Sequence, residues 1–186
     1  MNIKGKVVTL RAIEERDMDL LKDMLNDQEI ERLVGGWAFP VSSYQQKRWY
    51  ESNINDNKNI RLIIETNEDG AIGLATLTNI DWKNRVAFHG IKLANKKYRA
   101  RGIGTDSVMA IMRYAFTELQ LNRLDGAIIE YNEGSRKLYC NKCGWSVEGI
   151  QRKKIFKNGS YHNRLIVGIL KEDYYELIRE NNYWGE

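Results

Sequence analysis

The segment Tyr98-Arg99-Ala100-Arg101-Gly102-Ile103-Gly104-Thr105 sets two arginines and two glycines between a strand-like run and an amphipathic stretch. Glycine lets a backbone approach a ligand closely, successive amides turn toward whatever the loop holds, and a following helix N-terminus adds partial positive charge. Arg99 and Arg101 supply full charges, so the spacing describes a pyrophosphate site. Two nucleotide readings weaken on inspection. A Walker loop needs Lys-Ser or Lys-Thr after the second glycine, where this chain has Thr105-Asp106. A dinucleotide fingerprint carries glycine or alanine at the position of Ser107 and follows a parallel strand of a βαβ unit.

Two other constellations invite chemistry and fall short of it. Cys140-Asn141-Lys142-Cys143 has the spacing of half a zinc site, but the chain has 2 cysteines and 2 histidines in all, and His89 and His162 lie far off in sequence. The pair also sits where a helix should end, and a helix C-terminus disfavours a thiolate. No metal is expected. Arg152-Lys153-Lys154 is short and lies in an alternating strand region, where basic residues usually line a solvated face. A formal charge of +4 over 186 residues is compatible with an anionic partner without selecting nucleic acid.

The elements that must position the loop follow from periodicity. Val7 to Ala12 reads as a strand and Glu14 to Leu25 as a helix, with Met18, Leu21 and Leu25 on one face. Val34 to Pro40 is a loop; Ser43 and Gln46 have capping-box spacing for a helix running toward Asn55. Ile60 to Thr66, Ala71 to Asn79 and Arg85 to Leu93 form an antiparallel meander separated by turn residues. Thr105 to Leu119 is an amphipathic helix, Leu124 to Glu130 a strand, and Glu133 to Cys143 a short helix with Asn132 as N-cap and Gly144 to end it. Trp145 to Ile150 and Lys153 to Phe156 are strands, Asn158-Gly159 turns a hairpin into Arg164 to Leu170, and a polar helical tail begins at Lys171.

The outcome is one mixed α/β (α+β) domain over residues 1–186, with its core at about 7–170 and a tail at 171–186. The start, Met1 to Lys6, runs into a strand without a signal-peptide core, and no apolar run reaches about 18 residues. These features set the expectation of a cytoplasmic protein with no membrane partner. Five tryptophans, Trp184 among them, leave room for an apolar surface used by a second copy in a homodimer.

Arg-x-x-Gly-x-Gly after an antiparallel strand resembles the coenzyme A loop of the GNAT N-acetyltransferases, and Tyr131-Asn132-Glu133-Gly134-Ser135-Arg136-Lys137-Leu138-Tyr139 resembles that family's second signature. The resemblance runs from the opening β-α segment to about Leu170 and is closest to the RimJ/RimL and spermidine acetyltransferase branch. It implies a central, mostly antiparallel mixed sheet of about seven strands flanked by about four helices, splayed beside the fourth strand to make a cofactor groove. It implies acetyl-CoA as acyl donor, bound by Arg99, Ala100, Arg101, Gly102, Ile103, Gly104 and Thr105, by the backbone of Ile91, Lys92 and Leu93, and by Asn132 and Ser135. Tyr139 falls where the family places a general acid near the thioester sulfur. Lining up the loop sets His89 where relatives often carry a glutamate, which makes it the candidate base, with Glu65 or a backbone carbonyl as substitutes.

The chemistry is consistent with these roles. An alkylammonium of pKa near 10 is neutral in only about one molecule per thousand at pH 7, so a base or a water chain must remove a proton before attack. The departing thiolate is better protonated than released bare, which a phenol can do. The expectation is direct attack of a primary amine on the thioester. The acceptor is a small molecule or peptide: a protein N-terminus, an amino acid or an amino sugar ahead of a polyamine, because Gly35-Gly36-Trp37-Ala38-Phe39 is uncharged. Leu33 to Tyr50 and the hairpin at Asn158-Gly159 should set its specificity. The alternatives are a non-catalytic acyl-CoA-binding sensor and, further off, an RNA-binding domain.

Overall fold

A computed structural model describes residues 1–36, 39–53 and 56–185. Trp37 and Ala38 of the expected loop, Ile54 and Asn55 at the expected helix end, and Glu186 lie outside the described residues. The chain opens with β1 (Ile3–Lys4), β2 (Thr9–Ala12), α1 (Met18–Asn26), α2 (Gln28–Leu33) and α3 (Ser43–Ser52). It continues through β3 (Ile60–Thr66), β4 (Gly70–Asp81), β5 (Val86–Leu93), α4 (Ile103–Arg113) and β6 (Arg123–Ile129). It closes with α5 (Glu133–Arg136), β7 (Ser146–Lys157), β8 (Ser160–Leu170) and α6 (Lys171–Asn181). Among the described residues the strands form one sheet of 8, in the order β1-β2-β3-β4-β5-β6-β8-β7.

Alternation along β3 shows how the sheet organises the core. Neighbouring Ile63 and Ile64 are both fully buried yet belong to different apolar clusters, because successive strand side chains point to opposite faces. Ile64 joins Leu10, Ala75 and Leu77 beneath α4, which inserts Ile103, Val108, Met109, Ile111 and Met112. Ile63 joins Leu21, Met24 and Ile30 beneath α1 and α2. Each such side chain contributes roughly 1.5–3 kcal/mol when fully buried, so α4 is fastened along most of its length.

All neighbouring strands pair antiparallel except β5 and β6. Those two pair in parallel only at Val86, Ala87 and Phe88 with Arg123, Leu124 and Asp125. Beyond Phe88 they part: β5 stays with β4 as far as Leu93, whereas β6 stays with β8 as far as Ile129. This parting is the expected splayed groove.

Several boundaries differ from the sequence reading for local reasons. The capping box belongs to Ser42 and Gln45, one residue earlier than expected: Ser42 Oγ accepts from the Gln45 amide at 3.2 Å and Gln45 Oε1 accepts from the Ser42 amide at 2.9 Å. Strand β7 is continuous where two strands were expected, with register breaks at Val147/Gly149 and Gln151/Ile155. Arg152, Lys153 and Lys154 fall in the second break and are exposed, as a solvated basic run should be. Asn158 and Gly159 turn the hairpin with φ of 50° and 76°. Trp184 is half-buried: Arg113 stacks 3.8 Å from its ring, its Nε1 donates to Tyr174 Oη at 2.9 Å, and it lines a surface pocket with Tyr175, Ile178 and Arg179. Four of the exposed large apolar residues, Val147, Ile150, Phe156 and Tyr161, lie together on the β7–β8 hairpin.

Candidate active site

The loop before α4 ends in Gly102, whose φ of 77° lies in the left-handed region that glycine tolerates without steric cost. Ala100 also has positive φ, 60°, and the two reversals turn the chain sharply into the helix. Among the described residues, no group accepts from the amides of Ala100 through Thr105; intrahelical bonding begins with Asp106 N donating to Gly102 O at 2.9 Å. The first amides of any helix lack internal partners, and here the preceding loop extends the row. The helix dipole adds to its attraction for an anion. Gly104 lies against Ile91 of β5 and Leu138, so the row sits beside the free edge of β5.

Arg99 and Arg101 flank this row without being loose. Arg99 stands 3.4 Å from Glu29, and Arg101 is 2.9 Å from both Glu68 and Asp69. Exposed pairs of this kind are worth about 0–1 kcal/mol, so either guanidinium can exchange its carboxylate for a phosphate at small cost. The charge, spacing and unpaired donors together fit the diphosphate of coenzyme A.

What fixes the helix end is a residue the sequence reading used only to exclude a Walker loop. Asp106, 1% exposed, accepts from the amides of Lys6, Val7 and Val8 at 2.9, 2.7 and 2.9 Å and from Tyr183 Oη at 3.0 Å. One carboxylate thereby ties the β1–β2 turn and the C-terminal segment to the first turn of α4. The phenol of Tyr183 is pushed to higher pKa by burial and by the charge of Asp106.

At the closed end of the groove His89, Tyr139 and Trp145 form an aromatic cluster, with ring centroids 5.7 Å (His89–Tyr139), 5.8 Å (His89–Trp145) and 5.0 Å (Tyr139–Trp145) apart. Tyr139 lies in Lys137–Lys142, a π-helical turn that continues α5, and is buried. Burial and the neighbouring Cys143 raise its pKa, while a backbone hydrogen bond with Ile91 works the other way. The phenol is therefore protonated at neutral pH and able to donate. Trp145, which sequence reasoning did not single out, reaches the cluster because Gly126 of β6 leaves room: a Cβ there would stand 3.2 Å from the indole.

His89 Nδ1 donates to Thr76 O at 2.9 Å, which fixes the tautomer and leaves Nε2 with a bare lone pair. That Nε2 and the indole Nε1 of Trp145 are both buried without a partner among the described residues. Burial pushes the imidazole down to about 4, so His89 is neutral at physiological pH and a weak base. Glu65 is placed elsewhere: it is held by Arg11 at 2.6 Å and pairs across β3–β4 with Ala71, away from β5.

Asn132 Oδ1 accepts from Ser135 N at 3.0 Å, the expected cap of α5, and its Nδ2 donates to Leu33 O at 2.9 Å. That second bond is one of several holding the end of α2 over the groove: Tyr131 Oη donates to Arg32 O, and Lys157 Nζ pairs with Glu31 and donates to its carbonyl. Both cysteines are free, and burial pushes the Cys143 thiol up to about 12, so neither supplies a thiolate. No group of three or more His, Cys, Asp or Glu side chains at metal-binding spacing occurs among the described residues, and no helix there is long and apolar enough to cross a membrane.

A splayed sheet with an unpaired row of helix-start amides beside its open edge defines an acyl-CoA-dependent acyltransferase. Residues 8–146 match the family described as Acetyltransferase (GNAT) domain. The chain belongs to that family, and it is an acyl-CoA-dependent N-acetyltransferase. It is 26% identical over 91% of its length, and 93% of the relative's, to the SPbeta prophage-derived uncharacterized N-acetyltransferase YokL of Bacillus subtilis strain 168. It is 28% identical over 90% of its length, and 88% of the relative's, to the spermidine N(1)-acetyltransferase of Escherichia coli strain K12. Its fold is similar to the crystal structure of spermidine N-acetyltransferase from Vibrio cholerae in complex with CoA and spermine, with TM-score 0.85, 25% identity, and coverage of 92% of this chain and 99% of that one.

Proposed function

We propose that this chain transfers an acetyl group from acetyl-CoA to a primary amine by direct attack in a ternary complex. A single acetyltransferase domain over residues 1–186 would do this in the cytoplasm, where acetyl-CoA is plentiful. The observation that carries the reading is the row of unpaired amides from Ala100 to Thr105 beside the free edge of β5. These amides, with Arg99 and Arg101, would hold the diphosphate. The backbone of Ile91, Lys92 and Leu93 would pair with the pantetheine as an added strand does, and Asn132 and Ser135 would close its far side. For Asn132 this means that Nδ2 exchanges Leu33 O for the donor.

Tyr139 supports the acid role: its hydroxyl is buried at the backbone of Ile91, on the strand that borders the groove, and is protonated at working pH. His89 supports a narrower role than that of a strong base. Its bare Nε2 can accept a proton relayed through water, but with a pKa of about 4 it does little to drive removal of a proton from an ammonium of pKa near 10. The rate should therefore rise with pH along the amine's own titration, with no break near 6.5.

The spermidine acetyltransferases among the relatives make a polyamine one acceptor to test, beside protein N-termini, amino acids and amino sugars. Thiol release should require acetyl-CoA and an acceptor together. Tight acetyl-CoA binding without release across all four acceptor classes would make the chain a sensor. A trapped acylated residue with ping-pong kinetics would replace direct attack by a covalent route.

A further inference from the structure

Side chains alternate along β5: His89 joins Tyr139 and Trp145, and Ile91 lies at Gly104, so both face α4. Lys92 must then project to the opposite face. Its cross-strand partner Leu74 belongs to the apolar cluster of Leu21, Met24 and Ile30 on that face. A thioester held against the α4 side of the groove is open to attack across the free edge of β5, from the face where Lys92 stands.

Lys92 is half-buried and has neither an ion pair nor a side-chain hydrogen bond among the described residues. Burial alone lowers its pKa. An ammonium partly withdrawn from water without a counter-ion is costly, and an arriving anion would offset that cost. Of the carboxylates on the elements around the groove, Glu31 is held by Lys157 and Glu130 by Asn163 and His162, while Glu29 is held by Arg99 until that guanidinium turns to the diphosphate. On β5 itself the full charge that an acceptor meets is the Lys92 ammonium.

We propose that the acceptor carries a carboxylate close to its reactive amine, as an amino acid or an acidic peptide N-terminus does, and that the Lys92 ammonium binds it. This rests on the acetyltransferase reading and names the substrate class of that same site. Lys92 acts here as a specificity residue and takes no part in the proton transfers.

The test compares acceptors with and without a carboxylate at equal concentrations of neutral amine, because a neighbouring carboxylate raises the amine's own pKa: alanine against alaninamide, the peptide Ala-Glu-Ala-amide against Ala-Gln-Ala-amide, and spermidine, with thiol release as readout. In at least one pair, kcat/KM should favour the acid over its amide by about tenfold or more, mainly through KM. Lys92→Met should bring that ratio to about one and Lys92→Arg should restore it. Lys92→Glu should move the preference toward spermidine. Equal turnover of acid and amide by the wild type, or a ratio untouched by Lys92→Met, overturns the proposal while leaving the acetyltransferase intact. Release with none of these five acceptors but with an amino sugar overturns the proposal alone, and release with no acceptor of any of the four classes overturns both.

Discussion

The two walls of the groove are built by opposite means. The α4 wall presents bare main-chain amides flanked by Arg99 and Arg101, and the side chain that anchors it, Asp106, lies behind it. The α2 wall has its main-chain carbonyls taken up: those of Glu31, Arg32 and Leu33 accept from Lys157, Tyr131 and Asn132. A wall of backbone donors suits a ligand that never changes, whereas a wall latched by side chains from distant elements can be altered one residue at a time. On the proposed reading, cofactor binding and acceptor choice would then be separable in this chain.

The strongest way to break the contrast is to remove the anchor behind the donor wall. Asp106→Ala strands the buried amide of Val8 and the part-buried amides of Lys6 and Val7 and should cost about 3 kcal/mol, because an unpaired buried donor costs roughly 1–3 kcal/mol and one that water reaches costs less. Urea unfolding would measure it, and a loss below about 1 kcal/mol would show that α4 is held by packing alone. His89 offers a test of the groove floor through pH. Its pKa is about 4 when folded against an ordinary value of 6.5, so the unfolded chain takes up a proton that the native one refuses. Its contribution is therefore complete above pH 6.5 and is lost as pH falls toward 4, by about 3 kcal/mol. Denaturation midpoints of wild type and His89→Gln should diverge over that window; parallel curves would place the imidazole in water.

Tyr139→Phe sharpens the boundary between holding the donor and using it. Transfer should slow roughly a hundredfold, about 2.7 kcal/mol in barrier, with the KM for acetyl-CoA changed by less than about twofold. An undiminished rate takes the phenol out of the mechanism. The smallest change is at the seam, where Asn132 touches both sides. Asn132→Ser retains a helix cap and loses the donor to Leu33, so stability should fall by about 1 kcal/mol while KM rises a few-fold for acetyl-CoA and acceptor alike. A shift in only one of the two would assign the residue to one wall.

The donor wall was legible because backbone sites leave a local signature: glycines, flanking charge and a helix start within eight residues. The latched wall was not, since Tyr131 and Asn132 reach residues 99 positions away and Lys157 reaches 126. Helix α2 escaped notice because six residues are too few for periodicity to emerge. The capping box slipped because Ser42-Ser43 and Gln45-Gln46 offer the same spacing twice, and what decides between them is tertiary: the observed register buries Gln46 at 2% exposure. Strand β7 was divided in two by the polar run from Gln151 to Lys154, which the structure accommodates as a bulge.

The wide turn at Lys137–Lys142 gives the phenol its direction. Each residue of a helix advances about 100° around its axis, so a turn closed over five residues carries one more than α winding uses. The segment has in effect absorbed a surplus residue without unravelling. Chain length at this point consequently sets rotational phase: shortening the turn by Asn141 would leave the sheet untouched and swing Tyr139 about a quarter-circle relative to Trp145.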